Sequence, residues 1–210
     1  MSALPSLFRV AASNGVVALK PTHGLLSRDG IIPLALSFDT GGPLARSVYD
    51  VAAVLGVMTG VDAKDAATQA SQGKADTDYT KFLKADALKG ARIGVARDFL
   101  GADADVDWVM ETSFDAMRRA GATLVDVRYP KWILDSKEDF YTTVRWREFG
   151  PQVKDYLGTL GPKYPKNLDD LIARARAFTS TRADGAQPNP ARWALFVREA
   201  VEDRLRRLRG

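Results

Sequence analysis

Between residues 92 and 128 two short apolar runs enclose one amphipathic stretch, and that order leaves few topologies open. Arg92-Ile93-Gly94-Val95-Ala96 reads as a strand. Val106, Val109, Met110, Ser113, Phe114 and Met117 then recur at helical spacing, closed by Gly121. Thr123-Leu124-Val125-Asp126-Val127-Arg128 reads as a second strand before Pro130. Strand, helix and strand in this order give a parallel pair joined by a right-handed crossover, and parallel strands need cover on both faces. The pattern predicts an α/β fold.

Upstream, Gly15-Val16-Val17-Ala18-Leu19-Lys20 predicts a short buried strand stopped by Pro21 and Gly24. Ile31-Ile32-Pro33-Leu34-Ala35-Leu36 is apolar, but Pro33 has no N–H for a ladder, so an edge strand or an extended loop is expected. Asp39-Thr40-Gly41-Gly42-Pro43 is a turn cluster, with Asp39 and Thr40 suited to bonding the backbone N–H groups that follow them. A helix comes next. Ser47 caps it, Asp50 completes a variant capping box, and Val48, Val51, Val54, Leu55 and Met58 form its stripe. Gly60 suits the left-handed position beyond its end. Residues 61–78 lack periodicity and predict a surface loop.

After Pro130 the chain turns helical. One helix is expected around Phe140, Val144 and Trp146. A second opens near Pro151 with Val153, Tyr156, Leu157 and Leu160, and a third is capped by Asn167. A last helix starts at Asn189-Pro190, with Trp193, Val197, Val201, Leu205 and Leu208 as a packing stripe. Residues 1–130 are thus expected to form an α/β core and 131–210 a helical extension of the same domain.

Composition removes several chemistries. The 210 residues contain no cysteine, which excludes a disulfide framework, thiolate metal ligation and a cysteine nucleophile. The single histidine, His23, cannot build a multi-histidine zinc site. No apolar run is long enough to span a bilayer, and Arg9 interrupts the N-terminal apolar residues, so a cytoplasmic protein without a membrane partner is expected. The net charge of +4 is concentrated after Arg182, where Arg204, Arg206, Arg207 and Arg209 favour a helix C-terminus. A wider basic face with interleaved aromatics would be needed for nucleic acid, which is not an expected partner.

One long run carries a resemblance. It comprises Gly15-Val16-Val17-Ala18-Leu19-Lys20-Pro21-Thr22-His23-Gly24, then Leu26-Ser27-Arg28-Asp29-Gly30-Ile31-Ile32-Pro33-Leu34. It ends in Ser37-Phe38-Asp39-Thr40-Gly41-Gly42-Pro43-Leu44-Ala45-Arg46-Ser47-Val48. This run resembles the amidase signature family of serine hydrolases, as do Leu88-Lys89-Gly90-Ala91-Arg92-Ile93-Gly94-Val95 and Gly121-Ala122-Thr123-Leu124-Val125-Asp126-Val127. The resemblance implies a three-layer α/β/α fold around a mixed sheet. It also implies hydrolysis of carboxylic amide C–N bonds by a serine, a bridging serine on a cis peptide and a lysine. Such a relay is needed because a hydroxyl is a weak nucleophile without a base, and a lysine serves as that base only when its surroundings favour the neutral amine.

In the family the nucleophile lies a few residues before the Gly-Val-Val strand. Counting back from Gly15 without gaps places Ser6 there. A register shifted by one aligns Arg9 with the family's arginine and puts Leu7, which has no hydroxyl, at the nucleophile position. The relay lysine and the Gly/Ser-rich loop with the bridging serine belong upstream of the nucleophile and are expected outside this chain. A partial amidase, inactive by itself, is the expectation, with no cofactor and no metal implied. Its substrate would be a small-molecule amide of the parent enzyme, and an uncovered sheet edge would favour a homo-oligomer. The alternative is a non-catalytic interaction module on the same scaffold.

Other candidates read as structural. Lys20 ends a strand and could replace the lost base, but loop pairing fits it better. His23 has only Asp29 as a nearby acid in sequence, and Arg46 reads as a helix-start residue.

Overall fold

A computed structural model describes residues 3–177. The predicted last helix with Trp193, and the terminal arginines, lie outside the described residues. The first element was not expected: residues Ala3–Asn14 form a helix, α1. Only Val17–Ala18 (β1) of the predicted 15–20 strand is extended in a ladder, and it pairs antiparallel with Leu44–Ala45 (β2). The 31–36 segment pairs with no strand and takes the extended-loop alternative, as Pro33 requires.

Helix α2 spans Val48–Met58 and begins as the sequence predicts. The Ser47 hydroxyl accepts from Asp50 N at 3.1 Å and donates to the Asp50 carboxylate at 2.7 Å. Its buried face is Val51, Ala52, Leu55 and Gly56, whereas Val48, Val54 and Met58 of the expected stripe are exposed. Thr59 leaves the helix extended and bridges to Leu26, and Gly60 just beyond it takes a positive φ of 156°.

The 61–78 segment is largely exposed, as expected of a surface loop, but it contains a 3₁₀ helix, Ala66–Ser71, capped by Asp65, and buries Thr68 completely. Thr68 Oγ1 accepts from Asp62 N at 2.8 Å and donates to the Asp65 carbonyl at 2.7 Å. Backbone packing fixes the segment from both sides. A Cβ on Gly56 would stand 2.3 Å from the Thr77 carbonyl oxygen, and one on Gly24 would stand 2.5 Å from that of Ala67. Only glycine permits these approaches.

The crossover is present. Arg92–Ala96 (β3) pairs parallel with Thr123–Val127 (β4), and Ala104–Arg119 (α3) joins them. Asp103 caps α3 by accepting from Asp105 N and Val106 N, and Gly121 closes it at φ 93°. Of the predicted stripe only Phe114 is buried, while Val106 and Val109 are exposed. The four strands form two separate pairs, one antiparallel and one parallel, among the described residues.

The two helices expected on either side of Pro151 are one. Lys131–Thr159 (α4) runs through that proline, and Leu168–Ala177 (α5) folds back against it. The proline removes one N–H from the helix ladder, a local cost that the packing around it outweighs. Phe149, Val153 and Leu157 of α4 pack with Leu168 and Ile172 of α5, and Leu34 from the irregular loop packs against this core. The helical part and the loop therefore share one hydrophobic cluster.

Candidate functional site

The irregular chain between Gly24 and Asp39 has few backbone partners of its own, so its N–H groups require acceptors from elsewhere. Side chains supply them. Asp39, 2% exposed, accepts from Leu34 N at 2.7 Å and Ala35 N at 2.9 Å. These donors precede Asp39, which corrects the expected turn toward the following residues. Gln152 Oε1 accepts from Leu36 N at 2.8 Å, and Glu148 accepts from Ser37 N at 3.0 Å. Helix α4 thus holds the loop with two side chains one turn apart.

Arg28 is the second anchor. Its Nε and Nη2 donate to the two oxygens of Asp65, at 2.8 and 2.5 Å, and Asp65 also accepts from Arg28 N at 2.9 Å. Both side chains are at most 10% exposed. This fork-to-fork geometry is the strongest form of ion pair and fixes direction as well as distance. The third nitrogen, Nη1, donates to the Leu36 carbonyl and lies 3.1 Å from His23 Nε2. His23 Nε2 is also 2.9 Å from the Leu36 carbonyl. That nitrogen can serve one contact at a time: its lone pair faces Arg28 in one tautomer, its N–H faces Leu36 in the other.

Charge follows this geometry. The Arg28 hydrogen bond holds the Asp65 carboxyl well below the usual carboxylate range, and the same bond raises the Arg28 guanidinium. Burial pushes the Asp39 carboxyl up, against its two backbone hydrogen bonds and the Arg28 charge. Burial opposes ionisation of Glu148 too, yet hydrogen bonds from Ser37 and Gln152 carry its carboxyl below the usual range.

Beside these anchors, between the loop and the C-terminal half of α4, lies a cleft of about 700 Å³. Ile31, Leu36 and Tyr156 supply its apolar walls, and Arg28, Lys64 and Gln152 its polar ones. Its volume suits a small ligand. Its polar residues, however, are engaged with protein partners, Lys64 with Asp29 at 3.3 Å.

Could a hydroxyl here act as a nucleophile? Ser37 Oγ donates to Glu148, and Ser27 Oγ donates to Asp62 at 2.6 Å. Both carboxyls are held below their ordinary range, the Asp62 one chiefly by the Ser27 hydroxyl, so neither is a useful base at neutral pH. They anchor the chain.

Ser6 lies in α1. Lys20 follows β1, and its Nζ donates to the Pro21 carbonyl at 3.3 Å. His23 belongs to the Arg28 anchor, and Thr40 Oγ1 donates to the Gly41 carbonyl at 3.1 Å. Arg46 directly precedes the α2 cap. Lys20, His23, Thr40 and Arg46 are not gathered into a relay among the described side chains. Among the described residues no group of three or more His, Asp or Glu side chains is placed to hold a metal ion, and no helix is long and apolar enough to cross a membrane. Glu148 and Gln152 escaped sequence reading altogether. Arg28 and Asp39 sit inside the motif run, and the Asp65-Ala66-Ala67-Thr68 cap pattern was the one signal available for Asp65.

Comparison with known proteins places these features. A family model described as Amidase matches residues 9–186. The glutamyl-tRNA(Gln) amidotransferase A subunit of Acinetobacter baylyi is 42% identical over 178 residues, covering 82% of this chain and 35% of the relative. The native peptide amidase of Stenotrophomonas maltophilia superposes with a TM-score of 0.71 at 40% identity, covering 81% of this chain and 34% of that one. A peptide amidase in complex with the competitive inhibitor chymostatin gives 0.69 at 40% identity, with 77% and 32% covered. The chain therefore spans about a third of the length of the relatives it matches. With a family match over most of its length and this degree of identity, the chain belongs to the amidase signature family.

Proposed function

We propose that this chain forms part of a hydrolase that cleaves carboxylic amide C–N bonds, with Ser6 at the nucleophile position. The family match over residues 9–186 carries the hydrolase reading, and the Ser6 assignment, upstream of that match, rests on the residue count back from Gly15. In the reaction the Ser6 hydroxyl adds to the amide carbonyl carbon and gives its proton through the bridging serine to the lysine. The amine leaves with that proton, and water then releases the carboxylic acid from the acyl-enzyme. The lysine and bridging serine come from parts of the amidase fold outside this chain. The two strand pairs belong to one three-layer α/β/α sheet in the complete fold, and the enzyme works in the cytoplasm on an amide of a small molecule. The relatives, a peptide amidase and a glutamyl-tRNA(Gln) amidotransferase A subunit, support an amide as the bond acted on.

The 210-residue chain alone is inactive on this reading, because a serine without a neighbouring base is a poor nucleophile. A chimera decides the assignment. Residues 1–177 of this chain replace the matched third of the Stenotrophomonas peptide amidase, and fluorophosphonate labelling and ammonia release from a peptide amide are measured. Labelling that disappears in Ser6→Ala is expected, whereas a folded chimera that keeps full turnover without the Ser6 hydroxyl would end the assignment. Ammonia release by the unmodified chain alone would end the claim of inactivity.

A further inference from the structure

Four charged side chains line the cleft between the 28–36 loop and helix α4: Arg28, Asp29, Lys64 and Asp155. Three of them are answered within the chain. Arg28 is held by the buried Asp65, and Lys64 and Asp29 lie 3.3 Å apart. Asp155 is the exception, exposed on α4 and in no hydrogen bond or ion pair among the described residues. Lys154, one residue before it, does not line the cleft, because adjacent helix positions point in different directions. The wall therefore carries one carboxylate in excess.

The same cleft offers little to an anion. On its loop side Arg28 N donates to Asp65, Asp29 N to Ser27 Oγ at 3.1 Å, Ile31 N to the Arg28 carbonyl at 3.0 Å and Leu36 N to Gln152. Pro33 has no N–H to give. Lys64 is the one lining ammonium, and Asp29 already faces it. The rest of the wall is apolar, made by Ile31, Leu36 and Leu160, with the Tyr156 ring next to Asp155 in the chain. An aromatic ring attracts a cation, most strongly where water is partly excluded. The volume of about 700 Å³ admits a small organic molecule.

We propose that this cleft binds an organic ammonium ion with an apolar body. The charged head pairs with the Asp155 carboxylate, and the hydrocarbon lies against Ile31, Leu36 and Leu160. Charge complementarity selects the class: a carboxylate or phosphate would meet Asp155 with no free donor to hold it, and a neutral ligand would leave Asp155 unanswered. The site uses no residue of the proposed relay, so it stands or falls apart from the hydrolase reading.

The test uses the full 210-residue chain, isotope-labelled for NMR, and three probes of similar shape: phenethylammonium, phenethyl alcohol and phenylacetate. The ammonium is expected to give saturable shifts in the Ile31, Leu36 and Tyr156 amide resonances, and the alcohol to bind about fivefold more weakly. Phenylacetate is expected to bind more weakly still. Asp155→Asn should cost the ammonium the same factor of about five and leave the alcohol unchanged, whereas Lys64→Gln, which releases Asp29, should tighten the ammonium about twofold. Spectral dispersion reports whether each variant is folded. If Asp155→Asn fails to fold, salt titration of the unmodified chain replaces it, with ammonium affinity falling as salt is added and alcohol affinity holding steady. No saturable shifts, shifts confined to other surfaces, equal affinity for the three probes, or undiminished ammonium affinity in folded Asp155→Asn would each overturn the proposal.

Discussion

The loop-rich region around Arg28 and the β3–α3–β4 unit solve the same problem by opposite means. In the first, residues 24–39 have almost no regular structure, and buried carboxylates, a guanidinium and a glutamine accept or supply the hydrogen bonds that a ladder would otherwise make. In the second, the helix and the β3–β4 ladder pair backbone with backbone, and apolar side chains such as Val125, Val127 and Trp108 are left facing outward. Irregular chain must be buried around specific partners because an unpaired backbone group away from water is costly. Regular chain carries no such obligation and can wait for a neighbour. Order without local burial is what sets the second region apart.

The sharpest way to break this contrast is to remove one half of the buried ion pair. Asp65→Ala leaves the Arg28 guanidinium buried without its partner, and a loss of about 3–5 kcal/mol is expected in urea denaturation. Arg28→Ala should cost a similar amount, and the double variant much less than the sum, since the two act as a unit. The pair also sets the acid limb. Because the folded Asp65 carboxyl titrates below its unfolded value of about 3.9, its contribution is complete above that pH and is lost as the pH falls further. Asp65→Asn should flatten that limb, and a limb of unchanged slope would show that other carboxyls govern it.

Gly56→Ala tests the packing of the 61–78 segment on α2. Alanine in a helix interior normally gains about 1 kcal/mol over glycine. Here its methyl group would meet the Thr77 carbonyl, so a net loss of about 1–3 kcal/mol is expected instead. A rise in melting temperature would mean that the segment yields easily and is no anchor. The smallest effect belongs to the other region. Val125→Lys should change the stability of the isolated chain by less than about 0.5 kcal/mol, as for other exposed positions. A loss several times larger would show that the valine face is already packed, and the contrast between the two regions would close.

Local signals were legible and long-range ones were not. The parallel crossover, the Ser47–Asp50 cap and the Gly121 end of α3 follow from spacing and end chemistry within a few residues. Helix α1 was missed because Pro5 and scattered polar residues hide its apolar period. The continuity of α4 through Pro151 was missed because packing on α5 outweighs what the proline loses. The family run from Gly15 to Val48 pointed to Arg28 and Asp39 as positions within a motif, without showing that both serve as anchors.

The sequence by itself determined the family, the parallel crossover and the absence of thiol chemistry, since each is written in contiguous residues or in composition. Only the tertiary structure decided that Glu148 and Gln152, more than a hundred residues away, accept the backbone N–H groups of Ser37 and Leu36. It alone also decided which valines remain uncovered. Periodicity reports which residues can share a face. Whether that face is covered depends on chain far away in sequence, and no local pattern carries that information.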